Sequence, residues 1–220
     1  MNNRPQLDGR SALASFAIVA GLLSFLLVAL VSGPAPRVAA ELLPYFASHR
    51  STYVLLAIIV LVWAVASVPY VVGLGALLGA RRGTLAFAAT MLCSGGVLLL
   101  GFATFAFVGA FLSIAASSHA APSEAEAIYQ AVIWGNLSYF LTDPGLMTLG
   151  LGQFLFAWLA WKDGALPRVI SAMGYVGGLA GLLTLAVYQT SLLAVVQISA
   201  FGVWGLATGV VLLRPKDEST

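Results

Sequence analysis

The sequence predicts an all-α polytopic membrane protein: one bundle of six transmembrane helices with both termini in the cytoplasm. Three observations carry that expectation. Hydrophobic residues fill 60% of the 220 positions and charged residues 8%, with a mean hydropathy of +0.99. An average soluble domain is about a quarter charged, so 10 Lys+Arg and 8 Asp+Glu cannot coat a water-soluble globule of this size. Uncharged runs also recur at the length of about 20 residues that a helix needs to cross the hydrocarbon. Finally, the basic residues sort cleanly to one side when six crossings are assumed.

The spans fall in order at 11–33, 53–80, 84–116, 144–161, 167–188 and 192–213, within a single domain over 1–220. Arg4 and Arg10 precede the first run, which at its length reads as an uncleaved signal anchor rather than a cleaved leader. The second holds Pro69 beside Tyr70, and the missing proline N–H predicts a kink there. Arg81-Arg82-Gly83 turns the chain into the third run. The fourth ends before Lys162, and Val169 to Leu213 contains no acid or base, which suits two crossings turned near Tyr188-Gln189-Thr190-Ser191.

Segments 34–52 and 117–142 are read as outer interfacial segments. In the first, Val38, Leu42, Tyr45 and Phe46 share a helical face broken at Pro44. In the second, Ser123 with Glu126 forms a capping-box pattern, and Asp143-Pro144 looks like a second helix start with Asp143 as N-cap. Whether 123–142 is its own span is decided by charge. Six spans place Arg4, Arg10, Arg81, Arg82, Lys162, Arg168, Arg214 and Lys216 together, against Arg37 and Arg50. Seven would move Lys162, Arg168, Arg214 and Lys216 across and abolish the bias. The chain is thus expected in a bacterial inner membrane.

Catalysis inside a bilayer leaves ionisable groups in the spans, and here they are nearly absent. Asp143 alone approaches the hydrocarbon, as a helix cap or as a proton or cation site. No span carries a histidine for haem, a serine protease or a zinc site. The sequence therefore points away from an enzyme, and no cofactor, catalytic residue or metal ligand is expected. Cys93 stands alone in an apolar run and reads as a small buried hydrophobe. Candidates for a solute or proton path are Asp143, Gln153, Gln197 and Tyr70, with structural hydrogen bonding as the competing role for the two glutamines. Candidates for docking on the outer face are Glu41, His49, His119, Glu124 and Glu126.

Glycines recur at small-xxx-small spacing: Gly75 with Gly79, Gly174 with Gly178, Gly177 with Gly181, Gly205 with Gly209. That spacing lets helix backbones approach closely, within one chain or between chains. The stretch Phe156-Ala157-Trp158-Leu159-Ala160-Trp161-Lys162-Asp163-Gly164-Ala165-Leu166-Pro167-Arg168, followed by Gly174, Gly177, Gly178 and Gly181, resembles the bacterial membrane family called domain of unknown function 4386. The chain departs from that pattern at Asp143-Pro144 and in its tight fifth loop. The resemblance implies a six-span helical membrane fold over most of the chain and carries over no catalytic residue. Gly164 and Pro167 would also end one helix and start the next in any fold.

The leading functional expectation is a non-catalytic membrane subunit or scaffold, packing through glycine faces against itself or another membrane protein. The alternative is a transporter or lipid- or small-solute-handling protein with a path near Asp143 and the kinked second span. Expected partners are membrane lipids and a homo-oligomer or larger membrane complex. Nucleic acid is excluded by the low density of basic groups.

Overall fold

The computed structural model describes residues 9–31, 45, 48–117, 124–184 and 191–213. Among them all regular structure is helical, in five continuous elements: α1 (Gly9–Val31), α2 (Arg50–Ser117), α3 (Glu124–Asp163), α4 (Arg168–Leu183) and α5 (Ser191–Leu213). Large apolar side chains face outward along them, with Val65 and Phe102 both 63% exposed. A surface of that kind is stable against lipid, and the protein is a helical membrane-embedded bundle.

α2 is helical over 68 residues but is not straight. Residues 75 and 90 of a straight helix would stand about 22 Å apart at 1.5 Å per residue. Here Gly75 lies against Thr90, Gly79 against Ala86, and Gly101 against Ala64. The three contacts share one antiparallel register centred between Arg82 and Gly83. α2 is therefore a helical hairpin, with arms Arg50–Gly79 and Gly83–Ala110, bent at the basic turn that the sequence marks. The first arm continues through Pro69 without a break.

Among the described residues, four stretches have the length and apolarity of a membrane crossing: Gly9–Leu30, the two arms of α2, and Leu192–Leu213. α4 is apolar but only 16 residues long. α3 runs through 40 residues, and this corrects the expected helix start at Asp143-Pro144. Asp143 is inside the helix and caps nothing. Pro144 removes one backbone bond, but lateral packing holds both halves in line. Gly145 sits on Leu100, and Ser138 Oγ donates to the Ala103 carbonyl at 3.5 Å. Thr142 and Thr148 bond back to the Ser138 and Pro144 carbonyls at 2.7 and 2.8 Å. Segment 123–142 is thus, from Glu124 on, the first half of the fourth helix.

The α3–α4 turn follows the sequence reading. Gly164 takes a left-handed φ of +63°, and Ala165 N–H bonds the Ala160 carbonyl at 3.1 Å, the closing bond of a Schellman motif. Pro167 is the N-cap of α4, its carbonyl accepting from Ile170 and Ser171. The expected turn at 188–190 and most of the expected amphipathic segment at 34–52 lie outside the described residues.

Each helix packs on its chain neighbours, and α5 closes the ring onto α1. The seams are glycine-lined. Gly21 meets Gly202 between α1 and α5, Gly96 meets Leu149 and Gly152 meets Cys93 between α2 and α3, and Gly150 meets Gly181 between α3 and α4. At the centre, Trp63 and Tyr70 stand against Phe201 with ring centroids 6.0 and 6.2 Å apart. Tyr70 and Phe156 lie 5.9 and 6.1 Å from Trp204.

Candidate functional site

α4 carries Ser171, Gly174, Gly177, Gly178 and Gly181 at spacings of three and four, so one face of this helix has almost no side chains. α3 approaches that face with Phe154 and Ala157, whose atoms lie 2.7 and 2.8 Å from where methyls on Gly178 and Gly174 would sit. The remaining space takes the polar tips of three long side chains. A methyl at 174 would lie 3.3 Å from Trp204 Nε1. At 177 it would lie 2.6 and 2.7 Å from Gln153 Nε2 and Oε1, and at 181 it would lie 2.5 Å from Gln197 Nε2. The glycine stripe runs about 15 Å, from Ser171 to Gly181, and is closely packed by Phe154, Ala157 and three hydrogen-bonding tips from two other helices.

These tips are largely without partners. Gln197 Nε2 donates to the Leu146 carbonyl at 2.7 Å. Gln197 Oε1, both amide atoms of Gln153, Trp204 Nε1 and Ser171 Oγ are buried with no hydrogen-bond partner. Against the Trp204 ring, the Tyr70 hydroxyl faces the Thr208 side chain, and Ser67 Oγ is without a partner. All these side chains are fully buried.

Elsewhere the bundle satisfies some such groups and leaves others, Ser94 Oγ among them, without a partner. Trp63 Nε1 donates to Ser24 Oγ at 2.9 Å, and that hydroxyl donates to the Ala20 carbonyl. Thr90 and Thr184 bond carbonyls of their own helices, and Cys93 Sγ approaches the Leu149 carbonyl at 3.7 Å. Two tryptophans of similar burial therefore differ in kind: the Trp63 N–H is bonded within the protein, and the Trp204 N–H points at the glycine stripe. An unsatisfied buried polar group costs about 1–3 kcal/mol. Five such atoms lie along this one seam. Trp204 can only donate, Gln197 Oε1 can only accept, and Gln153 and Ser171 do both.

The four sequence candidates separate. Gln153 and Gln197 meet on the α4 stripe. Asp143 shares the face of α3 that carries Leu146, Gly150, Gln153 and Ala157, by its three- and four-residue spacing. It is half-buried one turn from Leu146, at one end of the seam. Tyr70 lies across the Trp204 ring, so the seam follows α4 rather than the second span. Trp204 and Ser171 escaped the sequence reading. Trp204 sits in an apolar span where its ring reads as packing, and only the need of a buried indole N–H for a partner would have flagged it. Two surface hollows lie elsewhere, one at Ser48–Ile58 and one between Pro167, Ile170 and Val203–Val211.

The glycine faces expected to serve helix contact are filled by the same chain: Gly75 and Gly79 within α2, Gly174, Gly178 and Gly181 by α3 and α5, Gly205 and Gly209 by α1. Of the outer docking candidates, Glu41 and His119 lie outside the described residues. His49 is exposed, its ring stacked on Tyr45 at 4.2 Å and its Nδ1 2.9 Å from Ser48 Oγ. Glu124 opens α3, and Glu126 is exposed two residues on.

No protein of curated function and no solved structure matches the chain. The model of the family described as Domain of unknown function (DUF4386) matches residues 12–215, nearly the whole length, and the chain belongs to that family.

Proposed function

We propose that the protein is a membrane-embedded handler of a small, uncharged, hydrogen-bonding solute, which it admits when the seam between α4 and the tips of Gln153, Gln197 and Trp204 opens. The observation that supports this is that four unpartnered polar atoms of α3 and α5, on Gln153, Gln197 and Trp204, lie along the α4 glycines, with the unpartnered Ser171 Oγ on α4 itself. The seam contains donors and acceptors but no ionised group, so it favours a neutral molecule over an ion. Water, a small amide or a short polyol has the required chemistry. Asp143 stands at one end of the seam and marks where it meets the more polar part of α3.

The chain then crosses the inner membrane six times, with the second half of α3 and all of α4 joining the four long apolar stretches. The Arg81-Arg82 turn and both termini face the cytoplasm, as the basic residues require. The rival role of a non-catalytic subunit or scaffold drew its support from the glycine faces. Those are filled within the chain, so such a subunit would have to use other surfaces.

Purified protein in proteoliposomes tests the proposal by osmotic swelling. Liposomes carrying the protein should admit water or at least one of glycerol, urea and acetamide faster than empty ones, and Gln153→Leu should abolish the difference. Equal rates with and without protein for every one of these solutes would overturn it.

A further inference from the structure

A second site is carried by a different part of the molecule. The first turns of α2, with Ser48 just before them, form a hollow lined by Ser48, Arg50, Ser51, Val54, Leu55 and Ile58. The lining divides along the helix axis. One end carries a guanidinium and two hydroxyls, and the other carries three aliphatic side chains that are 41%, 49% and 54% exposed. From Arg50 to Ile58 the helix rises about 12 Å, a distance that takes a headgroup at one end and the upper part of an acyl chain at the other. The level is fixed by aromatics of the interfacial kind: Tyr45 stacks on His49 at 4.2 Å and meets Tyr53 edge-on at 6.4 Å.

We infer that this hollow binds one phospholipid of the membrane, an anionic one with an uncharged hydroxyl-bearing head, of which phosphatidylglycerol is the type. Arg50 pairs with the phosphate, which a guanidinium matches through two parallel N–H bonds. Ser51 supplies a further donor to the phosphate oxygens. Ser48 Oγ donates to the Tyr45 carbonyl at 2.8 Å and lies 2.9 Å from His49 Nδ1, which leaves one lone pair to accept from a head-group hydroxyl. Among the described residues the lining carries one cation, Arg50, and no carboxylate, which favours an anionic head. Val54, Leu55 and Ile58 take the first methylenes of one chain.

The full-length protein in nanodiscs tests this by electron paramagnetic resonance with chain-labelled lipids. Labelled phosphatidylglycerol should show a motionally restricted fraction with affinity about fivefold above labelled phosphatidylcholine, the gain that one basic residue gives at an anionic contact. Arg50→Gln should bring the ratio to about one, and Leu55→Trp should reduce restriction of both lipids by filling the hollow. Arg168→Gln, which alters another exposed cation, should leave the ratio unchanged. Equal affinity for both lipids in the wild type would overturn the inference. So would an Arg50→Gln ratio equal to wild type, or Leu55→Trp leaving restriction unchanged. Swelling rates in the absence of phosphatidylglycerol report on the α4 seam alone, so the two sites fail separately.

Discussion

Replacing Gln153 by leucine gives opposite results according to whether the α4 seam is filled. Leucine nearly matches glutamine in volume, and no side chain on Gly177 stands against it. Gln153 presents two fully buried atoms with no partner in the protein. If the seam were dry, each would cost about 1–3 kcal/mol, and their removal would stabilise the protein by about 2–6 kcal/mol. For a chain of this length about 2–4 °C of Tm follows each kcal/mol, so a dry seam predicts a rise of at least about 4 °C. If water or solute occupies the seam, the amide is already bonded. Leucine then gains nothing on balance, or loses about 0.5–1.5 kcal/mol per bond given up. Thermal unfolding of wild type and Gln153→Leu in the same detergent reads the sign. A Tm unchanged or lowered agrees with an occupied seam, and a rise of 4 °C or more would refute the reasoning.

Three further outcomes are expected. Gly178→Ala should lower Tm, because its methyl meets Phe154 backbone atoms at 2.9 Å, an overpacking cost of about 1–3 kcal/mol. Gly177→Ala meets only the movable tip of Gln153, and it should keep its Tm yet lose solute flux; equal Tm losses in the pair would count against the geometry. Trp63→Phe should cost about 1 kcal/mol by breaking the bond to Ser24, read as a lower Tm with flux intact. A cysteine placed at Arg82 should react with a membrane-impermeant maleimide only from the cytoplasmic side, without background from the fully buried Cys93; labelling from the opposite side would reverse the threading.

The helical membrane fold was legible because hydropathy and charge-free length are properties of single segments. The hairpin at Arg81-Arg82-Gly83 and the Gly164–Pro167 turn were legible for the same reason, since each is set by local residues. Asp143-Pro144 misled because a local cap pattern competes with lateral packing, and the contacts of Gly145 with Leu100 and Ser138 with Ala103 are invisible along the chain. Gln153 and Gln197 stood out as costly polar groups in apolar spans. Their meeting on the glycine stripe depends on the pairing of α3, α4 and α5, which no spacing encodes. Trp204 differs from Trp63 only in whether a serine stands opposite it, a fact of tertiary structure alone.

The most direct test of an occupied seam is water-edited solid-state NMR of the protein in lipid bilayers, observing the tryptophan indole nitrogens. Magnetisation should pass rapidly from water to Trp204 Nε1 and to the Gln153 amide, and slowly to Trp63 Nε1, which the Ser24 hydroxyl covers. Transfer to Trp204 as slow as that to Trp63, unaltered by added glycerol, urea or acetamide, would contradict the account.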